Sequence, residues 1–333
     1  MIHAFAAHAP QQALEKWSYE TADLGLMEAE VLISHCGVCH SDLHIVQGDW
    51  GGKFPVVPGH EIVGEIIALG AGAEASLMGK RVGIGWQCGA CMNCEWCLHG
   101  EENLCGNSQA VCFRGHYGGF AERVRVDSRF CHVIPDALSS ENVAPLLCAG
   151  ITVYAPLRRY AQAGTWRVGI VGIGGLGHLG VQYAKAMGAD VTAFTTSPSK
   201  ADEARQLGAN RVVITTQPDA LRDIRASLDC LLVTVNVPLD WLAYAKTLRP
   251  NGVMCFVGAA EDNLNIPIGS LVNRQWVITG GSIGGRPDMR DMLQFSAQHG
   301  ITAWTERLPM DSVNVALERL KKNDVRYRFV LER

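Results

Sequence analysis

Of the twelve cysteines in this 333-residue chain, five crowd between Cys88 and Cys105. Four of them, Cys91-x2-Cys94-x2-Cys97-x7-Cys105, have spacings that can close a tetrahedral thiolate site for zinc. A site filled by four sulfurs keeps no position for a reacting ligand, so the ion's expected role is structural: it holds a loop too poor in apolar residues to pack itself. Cys88-x2-Cys91 fits the same spacing, and the later four are preferred because they leave no member out and end with the longer gap. Disulfide scaffolds spread their pairs through short secreted chains, whereas clustered thiols read first as metal ligands.

A second stretch runs from Arg167 to Val181 and reads RVGIVGIGGLGHLGV. It contains G-x-G-x-x-G as Gly172, Gly174 and Gly177, with Gly175 and Leu176 between. A strand-length apolar run, Val168–Val171, precedes it, and a helix-like run follows, the context in which the motif binds a dinucleotide. The first glycine permits the tight turn, the second lets a pyrophosphate approach the backbone, and the third lets the helix pack close. The phosphates then meet the unpaired N–H groups and positive dipole of the helix start.

An NAD-specific fold places Asp or Glu at the end of the second strand, where it binds the ribose 2′-OH. Here DVTAF leads instead into Thr195-Thr196-Ser197-Pro198-Ser199-Lys200, with no carboxylate before Asp202. Without that acid a 2′-phosphate meets no repulsion, and Thr195, Thr196, Ser197 and Lys200 offer donors and a countercharge. NADP(H) is therefore the expected cofactor. The hydroxyls would equally suit the capped start of a helix.

The elements that must carry these residues change character along the chain. Strand-like runs at Glu30–His35, Ile62–Leu69, Arg81–Gly85 and Phe120–Val126, separated by Gly and Pro, predict a β-rich first domain with few helices. From Ser139 the pattern becomes helical. Strands then alternate with helices: Val168–Val171, Val191–Phe194, Arg211–Ile214, Cys230–Val233 and Val253–Val257 against Gly177–Met187, Ser199–Leu207 and Leu239–Leu248. That order predicts a doubly wound parallel sheet, an α/β domain, with a further strand at Trp276–Thr279. An amphipathic helix at Ser312–Lys321 and a strand at Arg326–Leu331 follow. The expected domains are 1–150 with 286–333, and 151–285.

Composition narrows the function classes. With 48% hydrophobic and 19% charged residues and a net charge of −4, nothing favours nucleic acid or an anionic membrane surface. No apolar run has the length of a bilayer span. The start MIHAFAAHAP has no basic n-region and no sustained apolar h-region, so the cytosol is the expected compartment.

With the glycine stretch, the four-cysteine loop and the segments GVCHSD and PGHE, the chain resembles the zinc-dependent medium-chain alcohol dehydrogenases. Within them it is most similar to the cinnamyl-alcohol-dehydrogenase-like branch and its bacterial aldehyde reductases, and the resemblance runs almost end to end. It implies a GroES-like β domain around a metal and a Rossmann nucleotide domain inserted before the last segment. It implies that Cys39 in GVCHSD, His60 in PGHE and Cys148 in LLCAG ligate a catalytic zinc, which spacing alone could not join. By the same resemblance Glu61 approaches the metal when the fourth ligand exchanges, and Asp42 holds His60. Ser41 hydrogen-bonds the alkoxide, and His44, reached through the cofactor's ribose, returns its proton. Three protein ligands leave one position for a carbonyl oxygen, as hydride transfer at a zinc requires.

The resemblance also assigns cofactor contacts to Thr152, Thr234, Gly258, Ser282, Ile283, Gly284 and Arg328, the last at the pyrophosphate. NADP-binding members of the branch carry a similar hydroxyl-rich stretch with lysine at this spacing. Trp50, Trp86 and Ile283 are the expected substrate pocket, with Phe113 or Tyr117 as further candidates, and they suit an apolar or aromatic aldehyde. A homodimer is expected, paired through an edge strand near Trp276, with a tetramer as the alternative. Two other functions fit less well. An NAD-linked polyol dehydrogenase lacks its acid after the second strand, and a non-enzymatic zinc and nucleotide-binding redox sensor has no use for Ser41 and His44. No role is assigned to Cys36 or Cys88.

Overall fold

Glu28–Val38, eleven residues running through the middle of a mixed sheet, is the longest strand of the computed structural model. The structure describes residues 1–113, 115–160, 166–258 and 263–333. They fall into two units, Met1–Ile151 with Gly284–Arg333, and Thr152–Ile283.

In the first unit the strand order is Thr305–Pro309, Arg328–Glu332, Glu28–Val38, Glu61–Leu69, Arg81–Ile84, His132–Val133, with Arg123–Asp127 also paired to Glu28–Val38. Alternate residues of these strands, among them Val31, Ile33, Ile62, Ile66, Val82 and Phe329, are buried in one core. The registers matter for the site. Gly37 lies opposite Glu61 on one side and Val330 on the other. A Cβ on Gly37 would stand 2.0 Å from Glu61 Oε2, so the missing side chain is what admits that carboxylate.

Helix α1 (His40–Gln47) follows directly on the long strand. Helix α2 (Gly177–Ala186) follows the glycine stretch, and helix α3 (Arg286–His299) opens the returning segment of the first unit. The sequence predicts neither α1 nor α3. Helix α1 buries only Asp42, Ile45 and Val46, too short a stripe for a clear period. Helix α3 buries Met289, Met292, Leu293 and Ser296 at helical spacing behind a proline in its first turn, a pattern that was there to be read.

The second unit is a six-stranded parallel sheet among the described residues. Its order is Arg211–Ile214, Asp190–Thr195, Arg167–Val171, Leu228–Val233, Leu248–Phe256, Val277–Gly280. The strand order reverses beside Arg167–Val171, the topological switch where such sheets bind ligands. The helix expected over Leu239–Leu248 is only Trp241–Ala245, because Leu248 already belongs to the next strand. Trp241 and Tyr244 are instead buried in the sheet's core with Phe194 and Met254. No helix among the described residues is long and apolar enough to cross a membrane.

His132 sits at the first unit's sheet edge opposite Gly83 and is buried. Burial, then the charges of Arg290 and Arg286, push it down to about 3. An unfolded chain therefore takes this proton first as pH falls below about 6.5, so stability is lost over that interval. By pH 5 the loss should reach about 2 kcal/mol, at 1.36 kcal/mol per unit. The stability gap between wild type and His132→Gln at pH 7.5 should shrink by that amount at pH 5, measured by denaturant midpoints. Parallel losses in both proteins would contradict the assignment.

Candidate functional site

The first unit gathers its polar groups at the start of α1. Cys39 is the N-cap, and its backbone N–H donates to Asp42 Oδ2 at 2.9 Å, as the third residue of a capping box should accept. The other carboxylate oxygen, Oδ1, accepts from Gly59 N–H at 2.8 Å and from His60 Nδ1 at 3.0 Å. Asp42 is fully buried with both oxygens in use. Because a carboxylate only accepts, the Nδ1 of His60 carries the hydrogen and Nε2 keeps the lone pair.

That lone pair is the informative atom. His60 Nε2 is buried without a hydrogen-bond partner, and so is Glu61 Oε2. Ligand atoms of Cys39, His60, Glu61 and Cys148 all lie within 4.8 Å of one another. The strand end at Val38, the start of Glu61–Leu69 and the turn before the helix Ala149–Tyr160 supply these residues. Two sulfurs, one imidazole and one carboxylate are a donor set that fits zinc. Cys112 lies near His60 on the Asp42 side, in a separate group from the two sulfurs.

The buried groups shift one another's proton affinities. A hydrogen bond with Cys148 leads the effects that hold the Cys39 thiol well below its usual range, and the same bond leads those that push Cys148 well above it. Burial works against a charged His60, but Asp42 and Cys148 outweigh it and raise the imidazole well above its usual value. A proton and a metal compete there for the same Nε2. Burial pushes Glu61 up to about 8 against the pull of Arg328, with Cys39 adding to the push.

Arg328, 3% exposed, donates to Glu61 Oε1. Burial opposes its charge, while Glu61 and the sulfurs of Cys39 and Cys148 favour it and prevail. The structure thus puts Arg328 beside the metal-site residues.

The four-cysteine loop has the dimensions of a tetrahedral site. The separations Cys94–Cys97 and Cys91–Cys105 are 3.5 Å and Cys91–Cys97 is 3.9 Å. Four sulfurs at about 2.3 Å from one zinc would stand about 3.8 Å apart. Hydrogen bonding from the backbone at Asn93, then Cys105, lowers Cys91 to about 6. Cys88 points elsewhere, its thiol donating to the Gln109 carbonyl at 3.5 Å.

An aromatic wall rises from His60. Trp86 meets the His60 ring edge-on at 5.1 Å and Trp50 at 5.9 Å, and Trp50 stacks on His44 at 5.0 Å. Ser41 Oγ is 3.7 Å from Cys39 Sγ. His44 donates from Nδ1 to Asp49 Oδ2 at 2.8 Å, a partner the sequence did not suggest. The signal was Gly48, left-handed at φ 80, which ends α1 and turns Asp49 back on its last turn. Tyr117 belongs to a different cluster, against Tyr19 at 4.5 Å and Trp17 at 5.3 Å. Phe113 is half-buried.

In the second unit the glycines divide the work. Gly172 has φ +91 and a Cβ there would strike Val235 at 2.4 Å, while a Cβ on Gly177 would stand 1.8 Å from the Gly172 carbonyl oxygen. A Cβ on Gly174 would have nothing within 4 Å, so the loop is open at its second glycine, where a diphosphate is expected to approach. Gly175 and Leu176 complete the turn into α2, whose N-cap is Leu176. Thr234 Oγ1 donates to the carbonyls of Val171 and Gly172 at 2.9 and 3.1 Å, and Gly258 N–H donates to Val233 at 3.1 Å.

Lys200 Nζ donates to the Ile173 carbonyl at 2.9 Å, which brings its charge to the glycine turn. Thr195 Oγ1 accepts from Ser197 N–H at 3.1 Å, Ser197 and Ser199 hydroxyls meet at 2.8 Å, and the Thr196 carbonyl accepts from Thr216 Oγ1 at 3.4 Å. Asp202, the next carboxylate, pairs with Arg205 at 2.8 Å. Thr152 is buried, Ser282 exposed, and Ile283 holds φ +45. Gly284 begins the returning segment of the first unit.

Residues 25–136 match the family model described as the alcohol dehydrogenase GroES-like domain, and residues 175–298 match that of a zinc-binding dehydrogenase. An aldehyde reductase, AdhA, of a Synechocystis species is 38% identical over 332 residues, 99% of this chain and 98% of that protein. A cinnamyl alcohol dehydrogenase structure from Sorghum bicolor superposes with a TM-score of 0.94 at 36% identity, covering 99% of this chain and 97% of that one. A cinnamyl alcohol dehydrogenase from Helicobacter pylori complexed with NADP(H) gives 0.91 at 27% identity, covering 99% and 97%.

Proposed function

Because the chain belongs to the zinc-dependent medium-chain alcohol dehydrogenases, in the branch of cinnamyl alcohol dehydrogenases and bacterial aldehyde reductases, we propose that it is an NADP(H)-dependent aldehyde reductase and alcohol dehydrogenase. Its substrates are primary alcohols and the matching aldehydes, aromatic, allylic or medium-chain aliphatic. The carrying observation is the partnerless Nε2 of His60, held in one tautomer by Asp42 and grouped with two sulfurs and Glu61.

A zinc ion there supplies a Lewis acid toward a carbonyl oxygen, and the reduced nicotinamide supplies the hydride. Cys39, His60 and Cys148 would hold that zinc, and Cys91, Cys94, Cys97 and Cys105 a second, structural one. Asp42 orients His60, and Arg328 pairs with Glu61 beside the sulfurs. Reduction of a carbonyl consumes one proton besides the hydride. Ser41 is placed to donate it to the product oxygen, and His44 to replace it. Asp49 holds the hydrogen on His44 Nδ1, which leaves Nε2 to exchange protons. Trp50 and Trp86 give an apolar wall, which favours an aromatic or other apolar aldehyde. On the nucleotide side Lys200 and the hydroxyls after Asp190–Thr195 favour a 2′-phosphate.

Oxidation of NADPH and NADH with a panel of aldehydes, before and after chelation, tests the reading directly. NADPH should be preferred, activity should fall with metal loss, and two zinc ions per chain should be found. Cys88→Ser should keep both ions, and Lys200→Asp should move preference toward NADH. Activity that survives complete zinc removal would end the proposal.

The relay has its own readout. His44→Ala should lower turnover by about 100-fold, the low end expected for loss of general acid–base help, and Asp49→Asn should lower it less, each with a changed pH profile. An unchanged profile in both variants would remove His44 from the path.

A second copy of the chain is the proposed partner. Among the described residues, Val277–Gly280 is an edge strand with one paired side, and Val277, Ile268 and Val272 nearby in sequence are exposed. Sedimentation should show a dimer that Val277→Lys shifts to monomer; a monomeric wild type at micromolar concentration would refute it.

A further inference from the structure

Helix α3 starts at Gly285, a residue with no side chain to cap it. No capping side chain could replace it, because a Cβ at Gly285 would stand 1.7 Å from the carbonyl oxygen of Gly100. The cap comes from elsewhere. Glu102 is fully buried, and its carboxylate accepts the Arg286 backbone N–H at 2.9 Å and the Arg286 Nε at 2.7 Å. A carboxylate at that end also matches the positive pole of the helix.

Glu102 lies in the four-cysteine loop, between Cys97 and Cys105. Its carbonyl accepts from Gln87 Nε2 at 2.6 Å and from Cys105 N–H at 3.1 Å. Gly100, at φ +78, passes so close under Pro287 that a Cβ would be 2.7 Å from the ring. Loop and helix start are therefore in backbone contact, and Glu102 lies between two of the loop's cysteines, Cys97 and Cys105.

We propose that Glu102 is a positioning residue that makes metal occupancy of the four-thiolate loop and order in the first turn of α3 one event. The metal closes the loop, the closed loop presents the carboxylate, and the carboxylate caps the helix through which the polypeptide re-enters the first unit. The proposal rests on the four-thiolate zinc site proposed above.

Hydrogen exchange read by mass spectrometry on the zinc-loaded full chain tests it, together with zinc release to a chromogenic chelator. In Glu102→Gln, amides of residues 286–292 should exchange about tenfold faster and the thiolate-bound zinc should leave about tenfold faster, as expected for a weakened charged hydrogen bond. Arg286→Ala keeps the backbone N–H that is capped and should show a smaller effect. Stripping that zinc from the wild type should expose the same amides while Glu28–Val38 stays protected. A metal-loaded loop beside an unchanged helix start in Glu102→Gln, or a stripped loop beside a protected one, overturns the coupling. A cobalt-substituted chain whose thiolate-to-metal absorption is unchanged by Cys97→Ser overturns the four-thiolate reading itself, and the coupling with it.

Discussion

Sulfur and carboxylate can share a water-free volume only if positive charge stands among them. Cys39, Cys148, Glu61 and Asp42 are crowded around His60 in such a volume, and Arg328 brings a permanent cation to its edge. One guanidinium stands against two carboxyls and two thiols; burial pushes Glu61 up, and the hydrogen bond with Cys39 pushes Cys148 up. A dication settles this charge balance without protons. The rest of the first unit serves this arrangement. Adjacent strands bring Cys39, Glu61 and Arg328 side by side, and Gly37 between them makes the room.

The second unit solves a different problem with the same economy of side chains. A diphosphate needs backbone N–H groups without atoms in front of them. Gly174 has nothing where a Cβ would stand, while Gly172 and Gly177 are held against Val235 and against each other. Outward access and inward packing are thus assigned to different glycines within six residues. Lys200 then brings a charge to the turn by binding a main-chain carbonyl.

Much of this was legible in the chain itself, for stated reasons. The parallel sheet follows from strands alternating with helices, and the four-cysteine loop from its short spacings. Cys39, His60 and Cys148 carry no mutual spacing, so only likeness to a family joined them. Helix α1 escaped notice because its buried stripe is three residues, one of them Asp42. The pairings of His44 with Asp49 and of Arg328 with Glu61 are fixed by a left-handed turn and by strand pairing. Neither is visible as a local pattern.

Strand pairing has a consequence in time as well as space. Glu28–Val38 is flanked by Arg328–Glu332, a neighbour translated some three hundred residues later. A ribosome has therefore released the whole inserted sheet before that partner exists, and until then the His35–Val38 end of the long strand is open on that side while Cys39 and Glu61 lack their arginine. Nascent chains in this condition are the natural clients of holding chaperones. The inserted unit, whose strands pair only with one another, can be finished first.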